Sequence, residues 1–237
     1  MFTINHFLWL GLCAAAIAIG LWLAVKAKLT SKQAARVMAV ISIASEISKI
    51  MSDMNDSDFG GMVLDPRSLP FHLCSMLIFA VFYLSLAKEG PRRDAVLSFT
   101  VPIGLLGGVC AMLIPTNGVN FLKIGPYQCY VYHAGLVWFG LYSLIAKQAD
   151  LGKKAYVRNM LTLLMLSFLM IYVNGALSAY GTNFMYVRKP PMDGLPILNL
   201  DHGWYVYLLT LMALGAVLIT LVHFPFMIRE KRKPNKQ

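Results

Sequence analysis

A chain of 237 residues that is 58% hydrophobic and only 14% charged stands apart from soluble domains, which run roughly 45–50% apolar and about 25% charged. That composition excludes an ordinary water-soluble domain and points to an all-α protein of the lipid bilayer. The net charge of +10 raises nucleic acid as a partner, but there is no Gly-rich phosphate loop, zinc-type Cys/His spacing or EF-hand pattern to go with it.

Taken in chain order, seven stretches are long and apolar enough to approach the ~20 residues that cross a bilayer. They are Phe7–Val25, Val37–Ser52, Leu69–Ala87, Ala95–Ile114, Tyr127–Ala146, Val157–Ser178 and Trp204–Ile228. Met1 to Leu10 carries no Lys or Arg, unlike the positive n-region of a signal peptide, so the first stretch reads as a retained span. The second is short and contains Glu46 and Lys49; without it the bundle has six helices. Gly104, Gly107 and Gly108 in the fourth read as a close-packing face. Residues 1–228 then form one helical membrane domain, followed by a basic tail, 229–237.

The connections decide the direction. Basic residues cluster after spans one, three and five and at the end of the chain: Lys26, Lys28, Lys32, Arg36; Lys88, Arg92, Arg93; Lys147, Lys153, Lys154, Arg158; Arg229, Lys231, Arg232, Lys233, Lys236. Those 16 fall on one side of a seven-span arrangement, against Arg67, Lys123, Arg188 and Lys189 on the other. The positive-inside rule puts the N-terminus outside and the tail in the cytoplasm. Asp53, Asp56, Asp58 and Asp65 suit the outer side of span two. The positive charge is therefore a topology signal, and no nucleic-acid partner is expected. Tyr127, Tyr130, Tyr132, Tyr180, Tyr186, Trp204, Tyr205 and Tyr207 fall near outer ends, as an aromatic belt would.

Ionisable and polar groups inside the hydrocarbon mark functional sites. At 1.5 Å per residue, Glu46, His72, Cys74, His133 and Asn174 all fall roughly 5–9 Å beneath the outer surface. A thiol becomes a nucleophile when a His takes its proton, and a carboxylate or amide orients the His. On one regular helix His72 and Cys74 would sit about 200° apart, so Cys74 with His133 is the more natural pair unless the turn after Pro70 is irregular. Glu46 or Asn174 would orient the imidazole. Each residue also has a plain structural role. Cys13 and Cys110 read as apolar fillers, Cys110 and Cys129 as a disulfide in an oxidising compartment. Glu46 and Lys49 can neutralise each other, Asn174 can tie helices, and His6 and His223 read as interfacial. Two imidazoles and one thiol are too few for zinc; no metal and no cofactor is expected.

Four segments carry a family likeness: Leu69-Pro70-Phe71-His72-Leu73-Cys74, Tyr132-His133, Asn183-Phe184-Met185-Tyr186-Val187-Arg188-Lys189-Pro190 and His202-Gly203-Trp204-Tyr205. Together they resemble the bacterial YwaF family of polytopic membrane proteins, which is distantly similar to transmembrane protein 164, a lipid acyltransferase, and more remotely to the androgen-induced lipid hydrolases. The resemblance implies a multi-pass protein of the bacterial plasma membrane acting on phospholipid acyl esters near the outer leaflet. It implies Cys74, His133, His72 and Glu46 as catalytic, and Asn174, Asn183, Tyr186, Lys189 and Trp204 as substrate-binding. One position departs: the acyltransferase Cys immediately precedes the His matching His72, where this chain has Phe71. The other functional class is a non-enzymatic transporter, receptor or assembly factor using the polar layer as a ligand or proton site. The chain shows no inverted repeat of the kind transporters carry.

Overall fold

The computed structural model describes residues 2–55 and 64–231, and among them every regular element is helical. Asp56 and Asp58 of the acidic loop, and residues 232–237 of the basic tail, lie outside the described residues. The seven long helices are α1 (Ile4–Ala27), α2 (Ser31–Asn55), α3 (Leu73–Leu86), α4 (Pro91–Leu113), α5 (Ile124–Ile145), α6 (Lys153–Ala176) and α7 (Trp204–Lys231). They fall into two compact units, Met1–Ala149 with α1–α5 and Asp150–Gln237 with α6 and α7.

Local chemistry sets most of the boundaries. Thr3 caps α1 by accepting from the His6 amide, and the chain leaves α1 through Lys28 in the left-handed region. Thr30 and Gln33 form a reciprocal capping box at the start of α2: the Gln33 amide donates to the Thr30 hydroxyl (3.2 Å), and the Thr30 amide to Gln33 Oε1 (2.9 Å). Gly90 followed by Pro91 opens α4. The expected third span is shorter as a helix. Pro66–Ser68 form a single turn, His72 is extended (φ −69°, ψ 146°), and α3 begins only at Leu73. Pro70 keeps its predecessor out of helical conformation, so the irregular turn considered above is present. His72 and Cys74 do not share a helix.

In the first unit α5 is the hub, packed against α1, α2 and α4, while α3 packs on α2 and α4. Polar contacts tie matching ends together. At one end Tyr142 and Gln148 both donate to the Leu29 carbonyl, Lys32 to Leu86 O and Arg93 to Leu84 O. At the other, His6 Nε2 meets Met112 O (2.9 Å) and Trp9 donates to Val119 O. The helices therefore alternate in direction, and the basic connections of this unit gather at the first of these ends. Four helices are long and apolar enough to cross a membrane by composition: α1, α4, α6 and α7. The others differ for stated reasons. α3 has 14 residues, α2 carries a charged stripe, and α5 hides most of its polar and aromatic surface against its neighbours.

The glycine face of α4 is as expected. A Cβ on Gly108 would lie 2.8 Å from the His133 carbonyl oxygen, and one on Gly140 of α5 would lie 3.1 Å from Val101 O, so the two backbones approach as only glycine permits. The aromatic belt is only partly a belt. Tyr127, Tyr180 and Tyr205 are exposed, but Tyr130, Tyr132 and Tyr207 are buried. Tyr130 and Phe121 sandwich Trp9 with ring centroids 4.8 and 4.6 Å away. His6 and His223, expected at interfaces, are fully buried because each ring is consumed by polar partners of its own unit. His6 holds Met112 O; His223 holds Leu151 O and Asn159.

In the second unit, α6 and α7 pack together. The Glu230 carboxylate accepts from the Lys153 amide (2.8 Å), supplying negative charge to the α6 N-terminus. Tyr156 bonds Thr220.

Candidate functional site

The residues around Cys74 are assembled by three helices of the first unit. Cys74 is the second residue of α3, and its Sγ lies 2.9 Å from where a Cβ on Gly107 of α4 would be. The next α4 residue, Gly108, abuts the His133 carbonyl of α5. The Tyr132 hydroxyl donates to the Cys74 carbonyl at 2.6 Å. Two adjacent small residues of α4 thus bring Cys74 and the backbone of His133 to one level, and Tyr132 ties α3 to α5 there.

His133 is anchored within its own helix. Its Nδ1 lies 2.7 Å from the Cys129 carbonyl oxygen and 3.5 Å from Cys129 Sγ. The shorter contact is to a carbonyl, which can only accept, so Nδ1 carries the proton and Nε2 is the basic edge. Nε2 has no hydrogen-bond partner among the described residues. The thiol touching this imidazole is Cys129, one helical turn back, whereas no described hydrogen bond joins Cys74 Sγ to His133. The i, i+4 spacing of Cys129 and His133 carried that signal in the sequence. All four cysteines are free thiols, so the Cys110–Cys129 disulfide is not formed. Cys110 is exposed and Cys129 buried.

The α2 side contributes a polar stripe. Ser42, Ser45, Glu46 and Lys49 recur at i, i+3, i+4 and i+7 and share one face. Glu46 and Lys49 pair at 2.7 Å, each about one-fifth exposed. Gln128 donates to Ser45 Oγ at 2.8 Å, and Tyr132 meets Ser42 within electrostatic reach of Glu46. Lys49 in turn lies within reach of His72. The structure therefore links Glu46, His72 and Cys74 through Tyr132 and Lys49, and reaches His133 only by its backbone, which abuts Gly108 next to the Gly107 that faces Cys74. Ser42, Ser45, Gln128 and Tyr132 are members that the sequence reading had not included. In the turn that precedes α3, Asp65 accepts from the Arg67 side chain at 2.8 and 2.6 Å, and that guanidinium holds the Asp65 carboxyl below the usual carboxylate range.

The remaining expected site residues belong to the second unit, where they build a loop. Buried Asn174 donates to Phe184 O (3.0 Å) and Met170 O (2.7 Å), and accepts from the Phe184 amide (2.8 Å). Asn183 accepts from the Arg188 and Lys189 amides and donates to Lys189 O. Trp204 donates to Val187 O (2.8 Å), and the Tyr207 hydroxyl donates to Tyr186 O. Met185 (φ 53°) and Tyr186 (φ 56°) sit in the left-handed region, a strained choice for non-glycine residues that these clamps hold in place. The side-chain amides of Asn174 and Asn183 and the indole N–H of Trp204 are engaged in shaping this turn.

Among the described residues no group of His, Cys, Asp and Glu is arranged to hold a metal. Seven long helices among the described residues, four of them long and apolar enough to cross a membrane, define a multi-pass helical membrane protein. The chain belongs to the TMEM164 family, whose model matches residues 1–223. No curated protein and no solved structure matches it.

Proposed function

We propose that this protein is an intramembrane lipid acyltransferase or acyl hydrolase that acts on phospholipid acyl esters. The observation that supports this most directly is the state of His133: its Nδ1–H is fixed on the Cys129 carbonyl, leaving Nε2 as a base at the level of Cys74. The Cys74 thiol gives its proton to Nε2, and the sulfur attacks the ester carbonyl. Collapse of the tetrahedral adduct expels the lysolipid alkoxide, which takes the proton back from His133 and leaves an acyl thioester on Cys74. A lysolipid hydroxyl or a water then attacks the thioester, with His133 as base again. Glu46, Tyr132 and His72 are the further groups of the first unit that this chemistry would draw on. The clustering of basic residues on one side of the first unit supports an outer-leaflet setting for this chemistry, since basic connections favour the cytoplasmic side.

The test uses purified full-length protein with a labelled phospholipid donor and a lysolipid acceptor. Cys74→Ala and His133→Ala each abolish transfer, while Cys129→Ala, which removes only a weak contact to Nδ1, retains it. Full transfer by both of the first two variants refutes the mechanism. A second reading, a non-enzymatic ligand or proton site, draws on the Ser42–Ser45–Glu46–Lys49 stripe. It requires that Glu46→Gln abolish function while Cys74→Ala leaves it intact.

A further inference from the structure

α6 is one of the helices long and apolar enough to cross a membrane, so its first turns lie in the headgroup layer at one surface. Those turns carry Lys153, Lys154 and Arg158 and no carboxylate. Local helix energetics oppose this placement. The macrodipole favours cations at a helix C-terminus, and like charges at i, i+4, as Lys154 and Arg158 are, repel. The nearby carboxylates are committed elsewhere: Asp150 accepts from the Gly152 amide and Glu230 from the Lys153 amide. Among the described residues no carboxylate forms an ion pair with Lys154 or Arg158. Several basic side chains of the first unit, by contrast, are engaged by the fold. Lys32 donates to Leu86 O, Arg93 to Leu84 O and Glu89, and Lys26 lies over the Trp22 ring.

The two exposed cations share a helix face that continues as apolar surface. At about 100° per residue, Lys154, Arg158, Leu161 and Met165 lie within about 60° of one another around α6. Together with Val157 and Thr162 they line one groove. Tyr156 and Asn159, which bond Thr220 and His223 of α7, point to the other side of the helix, so α7 does not cover this face. Leu161 and Met165 are 55% and 71% exposed. From Lys154 to Met165 the face runs roughly 16 Å along the axis, from the headgroup layer well into the hydrocarbon.

We propose that this face of α6 binds an anionic phospholipid, with the headgroup phosphate between Lys154 and Arg158 and an acyl chain along Leu161 and Met165. Charge complementarity selects the headgroup: a phosphate relieves the repulsion between two cations one turn apart. The apolar continuation selects a lipid, because neither a soluble anion nor an acidic protein can follow the face into hydrocarbon. The site lies wholly within the second unit and is independent of the acyl-transfer chemistry proposed around Cys74. Either reading can fail without the other.

Purified full-length protein in a neutral detergent is titrated with phosphatidylglycerol or with phosphatidylcholine of the same acyl chains, and bound lipid is measured by native mass spectrometry. One phosphatidylglycerol binds well ahead of phosphatidylcholine. Lys154→Gln and Arg158→Gln each weaken that binding about fivefold, the scale of one basic residue at an anionic surface. Lys88→Gln and Arg92→Gln, which remove exposed charges from the first unit, leave it unchanged. Excess glycerophosphoglycerol, the headgroup without its chains, does not displace the lipid. Should Arg158→Gln fail to purify, Lys154→Gln carries the comparison. Equal binding of the two lipids, or an equal loss in the variants of both units, means diffuse attraction to net charge only and overturns the proposal. Displacement by glycerophosphoglycerol overturns the assignment to a lipid.

Discussion

Alanine substitutions along the α4 glycine face separate backbone contact from side-chain contact. On Gly104 the new Cβ meets Leu136 and Leu77 methyl groups at 3.5 Å, an ordinary packing distance, whereas on Gly108 it meets the His133 carbonyl oxygen and Val137 Cγ2, both at 2.8 Å. Replacing helical Gly by Ala gains about 1 kcal/mol of propensity. At Gly104 that gain is unopposed, and Gly104→Ala is neutral or stabilising. At Gly108 a backbone carbonyl must retreat by about half an ångström in a close-packed interior, and overpacking costs about 1–3 kcal/mol. The net loss for Gly108→Ala is therefore up to about 2 kcal/mol. At about 2–4 °C per kcal/mol for chains of this size, its melting temperature in detergent falls by up to about 8 °C, read by thermal denaturation of the purified protein. Gly107→Ala lies between, since its 2.9 Å neighbour is the Cys74 thiol, and a side chain can rotate away. A Gly104→Ala variant at least as unstable as Gly108→Ala would refute the reasoning.

Asn174→Ala removes the side-chain bonds that Asn174 makes to the Phe184 amide and carbonyl at a cost of about 1–3 kcal/mol, and limited proteolysis shows faster cleavage within residues 182–190 than in the parent. With N-ethylmaleimide in detergent, exposed Cys110 labels first and buried Cys13 and Cys129 only on unfolding; a mass spectrum with Cys110 protected in a disulfide contradicts this. A fluorescent protein fused after Gln237 folds and fluoresces on the cytoplasmic side, while an alkaline phosphatase fused there stays inactive, as the basic connections require.

The helical class, the second helix and the glycine face were legible because each rests on composition, charge alternation or spacing along one chain. α2 is a full-length helix of 25 residues despite Glu46 and Lys49, because those two charges pair with each other on one helix face. The start of α3 was misplaced because hydropathy does not register the extended residues that Pro66 and Pro70 impose. Helix rotation was hidden as well. Depth placed Cys74 and His133 at one level, and the structure sets Cys74 Sγ against Gly107 and the His133 backbone against Gly108, with Cys129 the thiol touching the imidazole. Asn174 was read at the same depth as those residues, and the structure gives its amide to the turn at Phe184. Tyr130 and Tyr132 read as interfacial anchors because aromatic residues near span ends serve either purpose; their inward facing follows from Trp9 and Cys74, which are far away in sequence.

The buried hub helix also constrains how the protein is made. α5 is in tertiary contact on most sides, and its sequence carries glycines, tyrosines and a glutamine where a lipid-facing helix would be aliphatic. Such a segment partitions poorly into the bilayer on its own. During synthesis it emerges after α1, α2 and α4, the three helices that cover it, have been made. Insertion of α5 is therefore a handover from the translocon to those waiting partners, and a truncated chain that lacks α1 leaves α5 stranded for quality-control proteases even though α5 itself is intact.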